Sequence, residues 1–156
     1  MRRATLLAVL ALAGCGTTER SGAVGEELTA KGLKVTVAEI DSEVPVPRRD
    51  VTGLATPAAG FRLIGVRVRV CSDHGGATGA FDFALKTADG ADGRLKFPER
   101  NYANALDSLR DGCEDGWVVF EIPSGAQPGK VTYAFDDTGS RRHEQSRVRA
   151  RFTWTV

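Results

Sequence analysis

Few side chains in this 156-residue chain can carry redox, metal or nucleophilic chemistry: three cysteines, Cys15, Cys71 and Cys113, and two histidines, His74 and His143. Cys71, Asp73 and His74 share the stretch CSDHGG, but one sulfur, one carboxylate and one imidazole fall short of the three or four N and S ligands that zinc normally takes. The same residues suit the turn that follows a strand. The chain has no Cys-x-x-Cys, no His-Glu-x-x-His and no Gly-x-Ser-x-Gly elbow. A nucleophilic pairing of Cys113 with His74 or His143 would need a free thiol, and exported thiols tend to be oxidised. SGAQPGKV is one residue too short for a phosphate-binding loop, and Val131 stands where that loop needs a hydroxyl. ADGADG spaces Asp89 and Asp92 by three residues and lacks the closing glutamate of a calcium loop. We therefore expect no catalytic residue, no metal and no cofactor; a metal or hydrolytic site at His74 is the weakest of the readings kept open.

What positions these residues begins with the address. The first residues, MRRATLLAVLALAGCG, place two arginines before an apolar stretch from Ala4 to Ala13, followed by Gly14 and Cys15. This is the layout of a secretory signal peptide, too short for a stable membrane span. Leu12 to Cys15 resembles the lipobox of bacterial lipoproteins at every position, which implies residues 1–14 as the leader and Cys15 as the lipidated first residue of a 142-residue mature chain. Loss of Arg2 and Arg3 leaves 19 basic against 20 acidic residues, a balance that gives no sign of nucleic-acid binding. The expected location is the outer face of the bacterial cytoplasmic membrane, with attachment through lipid alone.

Residues 15–32, rich in Gly, Thr, Ser and Glu without a sustained apolar period, read as a flexible tether with a reach of roughly 20 to 24 Å. From Leu33 to the C-terminus the pattern turns to period two. LKVTVAEI, IGVRVRV, FDFALKT, GRLKF, WVVFEI, KVTYAFD and RVRARFTWTV alternate apolar and polar residues, as half-buried strands of antiparallel sheets do. ADGADG, SLRDGCEDG and PSGAQPG supply turn chemistry between them. ERNYANALDSLR has Tyr102, Ala105, Leu106 and Leu109 on one helical face and reads as a helical turn or crossing loop. About seven strands with Gly and Pro at the joints make residues 33–156 one all-β domain, an antiparallel β-sandwich.

GLKVTVAEI, FRLIGVRVRVCSD, DGCEDGWVVFEIPSG and KVTYAF resemble the immunoglobulin-like domain of unknown function found in many lipid-anchored proteins of Gram-positive bacteria, a fold shared with a small secreted immunogenic protein of mycobacteria. The most specific part is Gly116, Val118, Phe120 and Pro123. The resemblance implies an extracytoplasmic Ig-like sandwich without established enzymatic activity, with Phe120 in the core and Pro123 ending a strand. Cys71 and Cys113 depart from the pattern.

With Cys15 committed to lipid, Cys71 and Cys113 are the remaining thiols of an oxidising compartment, which favours a disulfide. It would tie two strand ends at the sandwich edge and close about 43 residues, for roughly 4 kcal/mol at most; a free, buried pair is the alternative. Arg67 and Arg69 on one strand and Arg147, Arg149 and Arg151 on the last would form a basic face for anionic lipid or wall polymer if the two strands share a sheet. The plainer reading is a solvated face offset by Asp82, Glu121 and Asp136. The expected role is a non-enzymatic binding or accessory module. Its partners would be the membrane, through the anchor, and a cell-envelope protein or polymer.

Overall fold

The structure is a computed structural model and describes residues 17–44, 56–73, 79–96, 106, 112–136 and 149–156. Among the described residues nine strands follow in chain order: β1 (Thr18–Ala23), β2 (Glu27–Ala30), β3 (Leu33–Asp41), β4 (Phe61–Ser72), β5 (Phe83–Thr87), β6 (Arg94–Lys96), β7 (Gly112–Pro123), β8 (Pro128–Asp136) and β9 (Arg149–Thr155). They form two sheets, one in the order β1-β9-β8-β5 and the other β2-β3-β4-β7-β6. The seven strands expected from the period-two pattern are β3 to β9. Their arrangement, β3-β4-β7-β6 against β5-β8-β9, matches the ABED and CFG sheets of an immunoglobulin constant-type sandwich.

The alternation works because each strand has one face turned to the other sheet. Leu33, Val35 and Val37 of β3, Ile64 to Val70 in alternation on β4, and Val118, Phe120 and Ile122 of β7 are buried from one side. From the other sheet come Phe83, Leu85, Val131, Tyr133, Phe152 and Trp154. The aromatic rings run in sequence through the core, Phe83 to Tyr133 at 4.8 Å, Tyr133 to Phe152 at 6.0 Å and Phe152 to Trp154 at 6.1 Å between centroids. The Trp154 indole N–H donates to the Glu26 carbonyl at 2.9 Å, so its one polar atom is satisfied inside the core.

Two expectations need correction. Residues 18–30 lie within the span read as a tether, yet they form β1 and β2. β1 pairs in parallel with β9 from Thr18↔Ala150 to Ala23↔Thr155, although most of its side chains are exposed. It is recruited by main-chain hydrogen bonds to an open sheet edge, a driving force that leaves no apolar period in the sequence. β2 is four residues long, with Leu28 and Ala30 buried, and reaches β3 through the two-residue turn Lys31-Gly32, both at positive φ (53° and 75°). The second correction concerns SLRDGCEDG. Gly112 to Asp115 belong to β7 and pair with β4 up to Ser72↔Gly112, because a twelve-residue β4 offers a full ladder that overrides the turn propensity of Asp and Gly. The helical turn expected over residues 99–110 lies outside the described residues except for Leu106, which is buried in the core and donates its N–H to the Trp117 carbonyl at 3.0 Å.

The two sides of the sandwich are joined by short connections, β1 to β2 at Val24–Glu26 and β5 to β6 through residues 88–93. At the second, Gly129 of β8 runs so close to residues 87–88 that a Cβ there would lie 2.8 Å from Ala88 Cα, Ala88 N and the Thr87 carbonyl oxygen. Backbone cannot move aside as a side chain can. Gly129→Ala is expected to cost about 1 kcal/mol or more, read as a lower urea midpoint at unchanged slope; an unshifted midpoint would mean that the strands separate freely there.

Candidate functional site

The outward face of the five-stranded sheet gathers the chemistry-bearing side chains in cross-strand rows. Lys34, Cys71 and Cys113 form the first row; Thr36, Arg69 and Asp115 the second; Glu39, Arg67 and Trp117 the third. Asp41, Gly65, Val119 and Lys96 form the fourth, and Leu63, Glu121 and Arg94 the fifth.

Cys71 and Cys113 are bonded, with a Cα–Cα separation of 4.0 Å and a sequence separation of 42. The bond ties the end of β4 to the start of β7, as expected of two strand ends, but these strands are central in their sheet and not at its edge. It links directly opposed residues of β4 and β7, two adjacent strands inside one sheet, whereas antibody domains join their two sheets. Cys113 is exposed and Cys71 partly so.

The basic face does not form as expected. β4 and β9 lie in different sheets, so Arg67 and Arg69 face away from Arg151 across the whole thickness of the sandwich. Arg67 pairs with Asp115 at 3.3 Å and Arg151 with Glu19 at 3.8 Å, all about half exposed or more. These partners are not the acids expected to offset them: of those, Asp136 does stand opposite Arg149 in the β8–β9 register, while Glu121 serves other cations. Arg147, His74, His143 and Cys15 lie outside the described residues. Exposed pairs of this kind contribute about 0 to 1 kcal/mol, so Arg67→Ser and Arg151→Ser should each shift the melting temperature by less than about 3 °C. A larger drop for either would show that its pair is part of a structural network.

At the other end of the same face, Glu121 is the one charged side chain buried among the described residues, 1% exposed. Its Oε1 accepts the Ala58 N–H at 2.8 Å and lies 3.2 Å from Lys96 Nζ, while Arg94 approaches Oε2 at 3.9 Å. The Ala58 bond, then Lys96 and Arg94, hold its carboxyl below the usual glutamate range despite burial. Alternation alone puts Glu121 on the solvent side of β7. It is buried because residues at the two described ends of the β3–β4 connection lie on this face, where Val44 packs on Leu63 and Val119 and Ala58 caps the carboxylate. No local sequence signal announces that cover.

ADGADG keeps its aspartates for the turn. The Thr87 hydroxyl donates to Asp89, whose carboxyl it holds below the usual range, and Asp92 pairs with Lys86. Among the described residues no group of three metal-ligating side chains occurs. On the outward face of the four-stranded sheet, Ala84, Thr132, Thr153 and Ser21 form a row of small side chains.

This geometry is that of an immunoglobulin-type β-sandwich whose own disulfide lies within one sheet. Solved structures agree on the fold. The chain is similar to MPT63, a secreted protein from Mycobacterium tuberculosis, with a TM-score of 0.54 and 18% identity over 90% of this chain and 100% of that one. It is similar also to the candidate lipoprotein ycdA of Bacillus subtilis, with a TM-score of 0.54 and 14% identity over 83% of this chain. The match spans 38% of ycdA. No protein-family model matches the chain, and no curated protein matches it in sequence.

Proposed function

We propose that the protein is a lipid-anchored, extracytoplasmic Ig-like module that acts at the bacterial cell surface by binding or accessory contacts and without enzymatic activity. The observation that carries this reading is the cysteine accounting. Of three cysteines, Cys71 and Cys113 are joined to each other, which befits an oxidising compartment. The third, Cys15, stands where Leu12-Ala13-Gly14-Cys15 would be cut and acylated. That one of the similar structures is a candidate lipoprotein and the other a secreted protein is in keeping with this. The non-enzymatic part rests on the side chains near the exposed face. Arg67, Asp115 and Trp117 are neighbours there, and this set offers recognition chemistry with no nucleophile beside a base.

Expression with a clickable fatty acid tests the anchor. The protein should take up label and sediment with membranes, and Cys15→Ser should abolish both. Label retained by Cys15→Ser, or a cytoplasmic unlabelled protein, would overturn the proposal. The arginine-face alternative now concerns Arg67 and Arg69 separately from β9. If binding to vesicles rich in anionic lipid falls equally on losing either set, it would regain support.

A further inference from the structure

The disulfide that braces the sheet has the surroundings of a bond that can also be opened. Cys113 is exposed, so an incoming thiolate can reach its sulfur without unfolding the sandwich. Cys71 is the less exposed of the two and has two cations near it against one anion, the exposed Asp73 two residues further on. Lys34 of β3 is its direct register partner, and Arg69 precedes it by two residues on the same face of β4. Neighbours at these positions lie about 5 to 7 Å apart. Arg69 has no hydrogen-bond or ion-pair partner among the described residues. Beside Cys113 the charge is opposite, with Asp115 two residues along the same face of β7. Positive charge stabilises a departing thiolate and negative charge opposes one, and the better leaving sulfur leaves faster. The β4–β7 register continues from Val70↔Glu114 to Phe61↔Pro123 without the bond, so the sheet stays paired when it opens.

We propose that Cys71–Cys113 is a site of thiol–disulfide exchange with a protein dithiol of the thioredoxin class, attacked at Cys113 with Cys71 as leaving group. The attacking thiolate forms a mixed disulfide with Cys113 Sγ, the Cys71–Cys113 bond breaks, and its electron pair leaves on Cys71 Sγ, which takes a proton from water. The second thiol of the partner then attacks the mixed disulfide and releases Cys113. The partner dithiol is oxidised to a disulfide, and the two cysteines are reduced to thiols. Beyond the bond the β4–β7 ladder has one further pair, Ser72↔Gly112.

The test uses full-length Cys15→Ser protein, so that the bridge cysteines alone react. Dithiothreitol should reduce it in native buffer at a rate that rises linearly with concentration, while circular dichroism keeps its β signal. A rate that levels off at the unfolding rate would overturn the proposal. A thioredoxin lacking its second cysteine should be trapped on Cys113, as read by peptide mass; trapping on Cys71 would overturn the assigned direction. Lys34→Gln with Arg69→Gln should slow reduction roughly two- to tenfold at an unchanged melting temperature of the oxidised protein, and an unchanged rate would remove the role given to those cations.

Discussion

Replacing Cys71 and Cys113 together by serine should lower the unfolding free energy by about 3 to 4 kcal/mol, the largest effect expected of any two-residue change outside the core. The two positions are 42 residues apart in sequence, and the bond forbids the unfolded chain all conformations in which they separate. The folded state loses little, because Cys113 is exposed and the flanking pairs Val70↔Glu114 and Ser72↔Gly112 remain to hold the strands. For a domain of this size the loss corresponds to a fall in melting temperature of about 10 °C. Wild-type protein in reductant should melt with the serine variant. A fall of less than about 1 kcal/mol in urea titration would mean that the unfolded chain keeps β4 and β7 near each other without the bond. Such a result would leave the exchange chemistry proposed above standing, since that depends on access and charge and not on the worth of the brace.

Glu121→Gln should cost about 2 to 3 kcal/mol at neutral pH. The substitution keeps the shape but turns a charge-assisted bond from Ala58 into a neutral one and leaves Lys96 and Arg94 without their anion. The loss stops short of that for a fully buried pair because Lys96 is one-third exposed and Arg94 about two-thirds, so both can turn to water. The effect depends on pH in a defined sense. The folded-state carboxyl is held below its ordinary value, so its stabilisation is fully present above the unfolded value near 4.3 and is lost as pH falls through the lower folded value. The gap between wild type and Glu121→Gln should therefore be constant from about pH 6 upward and close below about pH 4. A gap that persists to pH 2 would mean that shape, and not charge, holds the loop end at Ala58.

How much of this could be read beforehand differs from element to element. β3 and the apolar face of β4 are written as strict alternation, since Leu33, Val35 and Val37 and Ile64 to Val70 each meet the opposite sheet from one side only. β1 was hidden because its stability comes from main-chain pairing with β9 and its side chains are mostly exposed. The extension of β7 back to Gly112 was hidden because β4 supplies the partner, and nothing within DGCEDG reveals how long that partner is. Glu121 looked solvent-facing for the same reason: its cover, Val44 and Ala58, comes from a connection distant in sequence.

The separation of the arginines states the limit most plainly. Alternation placed Arg67, Arg69 and Arg151 on the polar faces of their strands, but a strand's pattern is the same whichever sheet it joins. By itself the amino-acid order determined the seven alternating strands β3 to β9 and their buried faces, and left Cys71 and Cys113 as a pair within them, because these follow from local periodicity and from counting. Tertiary structure alone decided which strands share a sheet. With that choice it parted β9 from β4 and set Cys71 opposite Cys113, because strand pairing is settled by long-range hydrogen bonding and packing that no local segment encodes.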